Sequence, residues 1–122
     1  HPRLVPLGYS RKFWYDEALS SPVRSITTPT AGKRVYLDPN LVPLVRGRRV
    51  VLVDDAVSSG STISAPWDLI ESLDADVLAC GVVMRQSRRW VEALGPSRAE
   101  RVLGVFDSPL LKAVPDGWVL RD

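Results

Sequence analysis

In the second half of the chain, apolar runs alternate with helical patterns. Val50 to Val53 is a continuous β-branched and aliphatic run, the pattern of a strand buried on both faces of a parallel sheet. Ser61 to Leu73 follows, with Ile63, Trp67, Ile70 and Leu73 at helical spacing. Pro66 predicts a helix that begins later than Ser61, because proline disrupts a regular first turn. Val77 to Met84 reads as a second buried strand. Arg88 to Leu94 reads as a short helix stopped by Gly95-Pro96. Arg101 to Phe106 reads as a third strand and Trp118 to Leu120 as a small last one. Strand and helix in alternation predict an α/β fold, with a mainly parallel sheet flanked by helices.

The first half is more broken. Leu4 to Tyr9 is short, apolar and bounded by Pro and Gly, so it reads as a strand. Ser10 to Ser21 mixes charges and aromatics without a period and reads as an exposed loop. Val23 to Thr28 and Arg34 to Leu37 fit two strands of a hairpin, joined by Pro29-Thr30-Ala31-Gly32 with its turn chemistry. Asp38-Pro39-Asn40 breaks the pattern, and Leu41 to Val45 fits a helical turn.

Composition narrows the classes. At 122 residues with 45% apolar and 25% charged residues, the chain suits one folded domain. No apolar run is long enough to cross a bilayer, and no secretory signal pattern opens the chain. These features fit a cytoplasmic protein with no membrane partner. Cys80 is the only cysteine. It sits in an apolar stretch and reads as a small buried hydrophobe rather than a nucleophile. His1 is the only histidine, which argues against a Ser-His triad or a His-based metal site. Residues 1–49 hold nine Lys/Arg and three Asp/Glu, a balance of +6; residues 50–122 hold seven and eleven, a balance of −4. The basic front suggests a polyanionic partner or, more blandly, a solvated basic face. It carries no recognised nucleic-acid motif, so no nucleic-acid partner is expected.

The chemistry concentrates in VVLVDDAVSSGST, Val50 to Thr62. A strand ends in two carboxylates, a loop of small residues follows, and a helix begins. In open α/β sheets, ligands sit beyond the carboxyl ends of strands. Ser58, Ser59, Gly60, Ser61 and Thr62 offer backbone N–H groups and hydroxyls without bulk, and the helix N-terminus adds partial positive charge. Gly60 permits a backbone conformation that other residues resist, so a bulky residue there is expected to harm phosphate binding more than folding. Asp54 and Asp55 suit vicinal hydroxyls and a hydrated magnesium ion. The plainer alternative is a structural strand-turn-helix in which the acids cap and the serines satisfy the turn. The P-loop, dinucleotide-binding and nucleophile-elbow patterns are all absent.

This segment resembles the thirteen-residue phosphoribosyl pyrophosphate (PRPP) signature of type I phosphoribosyltransferases. That signature comprises four apolar residues, two acids, two mostly apolar residues and a small Gly-containing loop ending in Thr. GYSRKFWYDE followed by PVRSIT is similar to a bacterial subgroup near the adenine and other purine enzymes. The resemblance implies the type I fold, with Ser10 to Leu37 as a mobile two-stranded loop. It implies Asp54 and Asp55 on the ribose and, indirectly through hydroxyls or water, on Mg2+, with Ala56 and Val57 between them and the phosphate loop Ser58 to Thr62. Arg11 and Lys12 would approach the pyrophosphate, with Phe13, Trp14 and Tyr15 closing over substrate. Arg85 and Phe106 would lie at the base.

Two departures qualify that picture. Hypoxanthine-guanine enzymes carry Asp at the first loop position. Here it is Ser58, which leans toward an adenine-type base. The family also has an earlier strand and pyrophosphate loop that precede the residues seen here. Residues 1–122 are therefore expected to form the C-terminal two-thirds of a phosphoribosyltransferase domain, inactive by themselves. The implied function is transfer of 5-phosphoribose from PRPP to a nucleobase with release of pyrophosphate, in nucleotide salvage. The alternative is a PRPP- or nucleotide-binding regulator without turnover. A homodimer is left open.

Overall fold

The computed structural model describes residues 3–23 and 33–121. Its centre is a three-stranded parallel sheet in the order β4-β5-β6, made by β4 (Arg49–Val57), β5 (Asp76–Gln86) and β6 (Val102–Ser108). The register sets Leu52 beside Cys80 and Cys80 beside Val102. A shift between Val50 and Val51 marks an irregularity near the start of β4. Helix α1 (Ser61–Glu71) connects β4 to β5. Two short helices, α2 (Arg89–Leu94) and α3 (Pro96–Ala99), connect β5 to β6. The alternating pattern in the sequence predicted this order, and the parallel α/β class follows from it.

One face of the sheet carries the core. Val77, Cys80, Val82 and Val102 are buried with Ile63, Ala65, Trp67, Leu69 and Ile70 of α1 and with Trp90 and Leu94 of α2. Trp67 is wholly buried, and its Nε1 donates to Glu71 Oε1 at 2.7 Å. The guanidinium groups of Arg98 and Arg101 face its ring at 5.3 and 5.2 Å. The opposite face is a correction to the sequence reading, which buried these strands on both sides. Val53 is 76% exposed, Val105 80%, and Val51, Val83 and Leu103 about half or more. Nothing among the described residues covers them.

Pro66 also behaves differently from expectation. Helix α1 starts at Ser61 with Pro66 inside it. At its sixth residue, the proline forfeits only one of the first intrahelical hydrogen bonds, and burial of five side chains on α1 offsets that loss.

The front of the chain forms a small antiparallel sheet, order β1-β3-β2, from β1 (Leu7–Gly8), β2 (Ser20–Pro22) and β3 (Arg34–Leu37). Its central strand buries Val35, Tyr36 and Leu37. The hairpin partner of β3 is thus Ser20–Pro22, continued by a hydrogen bond from Val23 N–H to the Lys33 carbonyl. The expected strand over Val23 to Thr28 began too late. Its remainder and the turn Pro29 to Gly32 lie outside the described residues. A 3-10 turn at Pro39–Leu44 replaces the helical turn expected at Leu41 to Val45. The chain ends in a hairpin, β7 (Leu111–Val114) with β8 (Gly117–Leu120). Among the described residues no helix is long and apolar enough to cross a membrane.

Candidate functional site

The site forms where β4 runs out. Asp54, Asp55, Ala56 and Val57 are the last four residues of that strand, at its carboxyl end. Asp54 Oδ1 accepts the Asp55 N–H at 2.8 Å, and Asp55 Oδ1 accepts the Ala56 N–H at 2.7 Å. Each carboxylate is therefore oriented through one oxygen, and both remain exposed. Partial burial pushes the Asp54 carboxyl above its ordinary pKa. The neighbouring Asp55 adds to the rise, and the Asp55 backbone N–H opposes it.

The loop beyond is built from its own small side chains. Ser59 Oγ and Ser61 Oγ share a hydrogen bond of 2.9 Å. Gly60 caps α1 with φ 87° and ψ −11°, the left-handed region, and no side chain caps the helix. Of the first-turn N–H groups, that of Ser61 reaches Ser59 Oγ at 3.4 Å and that of Ile63 reaches the Gly60 carbonyl at 3.2 Å; a helix N-terminus favours negative charge nearby. Thr62 is exposed at the same turn.

Gly60 overturns one expectation. A Cβ built there would stand 3.1 Å from Ala93 Cβ and 3.3 Å from Trp90 Cα. The missing side chain faces α2, so Gly60 serves the packing of α2 against the loop. A bulky substitution strikes the fold at least as hard as any ligand. The 3.6 spacing of α2 gave no hint of this contact, which joins segments thirty residues apart.

The remaining expected residues are more scattered. Arg11 Nη1 binds Glu17 Oε2 at 2.9 Å, and Glu17 also takes Arg34 Nε at 3.2 Å. Lys12 is exposed. Phe13 and Trp14 stack edge to face at 5.0 Å, and Tyr15 leans on Tyr36 at 6.0 Å. Phe13 stays 97% exposed. Phe106 is half-exposed and pairs with Met84, itself opposite Ala56, which puts it two strands, about 10 Å, from the signature. Arg85 runs along β6: its guanidinium holds Asp107 at 2.6 Å, and its Cγ lies 2.7 Å from where a Gly104 Cβ would be. A role at a base would require Arg85 to leave Asp107.

Tyr9 was not anticipated. It lines, with Asp54 and Thr62, a cleft of about 730 Å³ between the Leu4–Leu7 segment and β4. Burial raises the Tyr9 phenol above its ordinary pKa, and the charge of Asp54 raises it further. Lys33 Nζ stands 4.5 Å from the centre of its ring. Cys80, by contrast, is fully buried and its thiol is pushed up to about 11, first by burial and then by Asp54, so it is inert as a nucleophile.

Two acids near the carboxyl end of β4, one short loop before the N-terminus of α1, stand where ligands of open parallel α/β sheets are found. The sequence profile described as "Phosphoribosyl transferase domain" matches residues 4–98. The chain belongs to the phosphoribosyl transferase domain family. It is 36% identical over 80 residues to an adenine phosphoribosyltransferase of Nitrosococcus oceani, covering 66% of this chain and 43% of that one. It is 43% identical over 51 residues to the mouse adenine phosphoribosyltransferase, covering 41% and 28%. Among solved structures, the adenine phosphoribosyltransferase of Rhodothermus marinus superposes with a TM-score of 0.67 at 19% identity, covering 84% of this chain and 55% of that one. The chain thus spans about half the length of the proteins it resembles, and the structural likeness bears on the fold.

Proposed function

We propose that this chain carries the phosphoribose-binding part of a cytoplasmic phosphoribosyltransferase that moves 5-phosphoribose from PRPP to a nitrogenous base, an adenine-like purine being favoured. The observation that carries the reading is the acid pair ending β4 one short loop before an uncapped helix N-terminus. Curated relatives called adenine phosphoribosyltransferase, and Ser58 at the first loop position, favour the adenine-like base.

In this reading, Asp54 and Asp55 accept hydrogen bonds from the two ribose hydroxyls. The N–H groups and hydroxyls of Ser58 to Thr62 take the 5-phosphate. In the reaction, the bond from ribose C1 to the diphosphate oxygen breaks, its electron pair leaves with the diphosphate, and a base nitrogen bonds to C1 and gives up its proton to the departing diphosphate or to water. Positive charge develops on the ribose, so the domain contributes positioning and electrostatic support. Both carboxylates keep one oxygen outside the strand-end hydrogen bonds described above. Two carboxylates suit a hydrated Mg2+ that brings most of its ligands as water and phosphate oxygens. Such an ion would neutralise the leaving diphosphate.

The test is pyrophosphate release by the intact protein from PRPP with adenine, guanine, hypoxanthine, xanthine and uracil, alongside calorimetric binding. Turnover with adenine is expected. Asp55→Asn should weaken PRPP by about 1.5–3 kcal/mol, the scale of one charged hydrogen bond. Tight PRPP binding with no turnover on any base would instead mark a regulator. Unchanged affinity in Asp55→Asn would remove that residue from the site.

A further inference from the structure

The Ser58 to Thr62 loop contains no Lys or Arg, and two carboxylates, Asp54 and Asp55, stand shortly before it on β4. A phosphate dianion seated in the loop would meet neutral N–H and hydroxyl donors on one side and negative charge on the other. A counter-charge has to come from another element. Several guanidinium groups are committed elsewhere. Arg85 holds Asp107 at 2.6 Å, and Arg98 holds Asp68 at 2.8 Å. Arg88 lines a separate cleft along β6, with Val102, Asp107 and Pro109.

Arg89 is different. It opens α2, three residues after β5 ends at Gln86. Because β4 and β5 are parallel, it stands on the side of the sheet where β4 gives way to the loop. The helix meets that loop directly: a Cβ at position 60 would lie 3.1 Å from Ala93 Cβ and 3.3 Å from Trp90 Cα. Arg89 precedes Ala93 by four residues, so it shares that face of α2, one turn or about 5.4 Å nearer the helix start. It is exposed and pairs with no carboxylate among the described residues. Its backbone N–H donates to Ser87 Oγ at 3.3 Å, which anchors the start of the helix. A guanidinium keeps its charge at any ordinary pH and presents a planar fork of donors that fits phosphate oxygens.

We propose that Arg89 is a binding residue for the 5-phosphate, supplying from α2 the positive charge that the loop itself lacks. This rests on the donor reading above.

The test is calorimetry on the intact protein with PRPP and with ribose 5-phosphate, which share the 5-phosphate and differ at the other end. Arg89→Met should weaken both ligands by the same factor, roughly tenfold, within the range for a charge-assisted contact. Arg89→Lys, which keeps the charge without the fork, should fall between Arg89→Met and wild type. Arg88→Met removes the same charge one residue away and should leave both ligands within about twofold of wild type. Equal losses in Arg88→Met and Arg89→Met would mean a general field rather than a contact and overturn the proposal. A loss confined to PRPP, or no loss in Arg89→Met, would overturn it too. Wild-type protein that binds neither ligand would overturn the donor reading itself, a failure distinct from the others.

Discussion

Replacing Gly60 by alanine adds one methyl group at a position that is conformationally and sterically closed. The backbone there is left-handed at φ 87°, which costs an L-residue about 1–2 kcal/mol. The new Cβ meets Ala93 Cβ at 3.1 Å and Trp90 Cα at 3.3 Å, and forcing a methyl group into packed structure costs roughly 1–3 kcal/mol. The sum, about 2–5 kcal/mol, is a large part of a domain's typical ~5–15 kcal/mol. At roughly 3–6 °C per kcal/mol for this length, the thermal midpoint should fall by about 6–30 °C. Urea titration of the intact protein measures the loss directly. Combining it with Ala93→Gly separates the two causes: the double variant should recover about 1 kcal/mol relative to the sum of the singles, because the contact is relieved and the φ strain is not. Alanine at 60 within ~0.5 kcal/mol of wild type, or an additive pair, would show that α2 gives way freely and that the packing argument is wrong.

Two other outcomes follow from the site and the sheet. Asp54 has a raised pKa and must be ionised to accept ribose hydroxyls, so PRPP affinity should fall as pH drops through that raised value, earlier than for an ordinary aspartate; Asp54→Asn should flatten this limb, and a limb unchanged in that variant would assign it elsewhere. For stability the sign is opposite: a carboxyl whose folded pKa is raised favours the folded state when protonated, and that contribution is lost as pH rises through the folded value. The apolar face of Val51, Val53, Leu103 and Val105 is uncovered among the described residues, so the 122-residue chain by itself should self-associate in sedimentation. Val53→Lys with Val105→Glu should suppress this, and a monodisperse monomer of the unsubstituted chain would refute it.

The strand-loop-helix unit was legible because its signals are local. Four aliphatic residues, two acids and a run of small residues specify the unit within thirteen positions, and β5 and β6 repeat the strand signal. What escaped depends on distant partners. An aliphatic run looks the same whether one face or both are covered, so the bare side of Val53 was invisible. The packing role of Gly60 depends on Trp90, and the cation–ring contact of Tyr9 depends on Lys33, pairs whose spacing has no periodic signature. Arg85 was placed at the base, because its alignment over Gly104 and its bond to Asp107 appear only once β6 lies beside β5. The early start of β2 at Ser20 was hidden by residues with little strand preference, which pair because β3 buries Val35 and Leu37 beside them.

The backing of the loop by α2 also gives the molecule an optical handle. Four tryptophans differ widely in their surroundings: Trp67 is wholly buried and Trp90 nearly so, whereas Trp14 and Trp118 are 46% and 69% exposed. The Trp90 backbone lies where a side chain at position 60 would point, and its indole N–H donates to the Ser87 carbonyl at 3.1 Å. An aqueous quencher such as iodide would silence the emission of Trp14 and Trp118 first. The blue-shifted light that survives would come from Trp67 and Trp90, and of these only Trp90 adjoins the loop. Its intensity would therefore report a ligand bound at the Ser58 to Thr62 loop from the dry side, without a label and without a group entering the cleft.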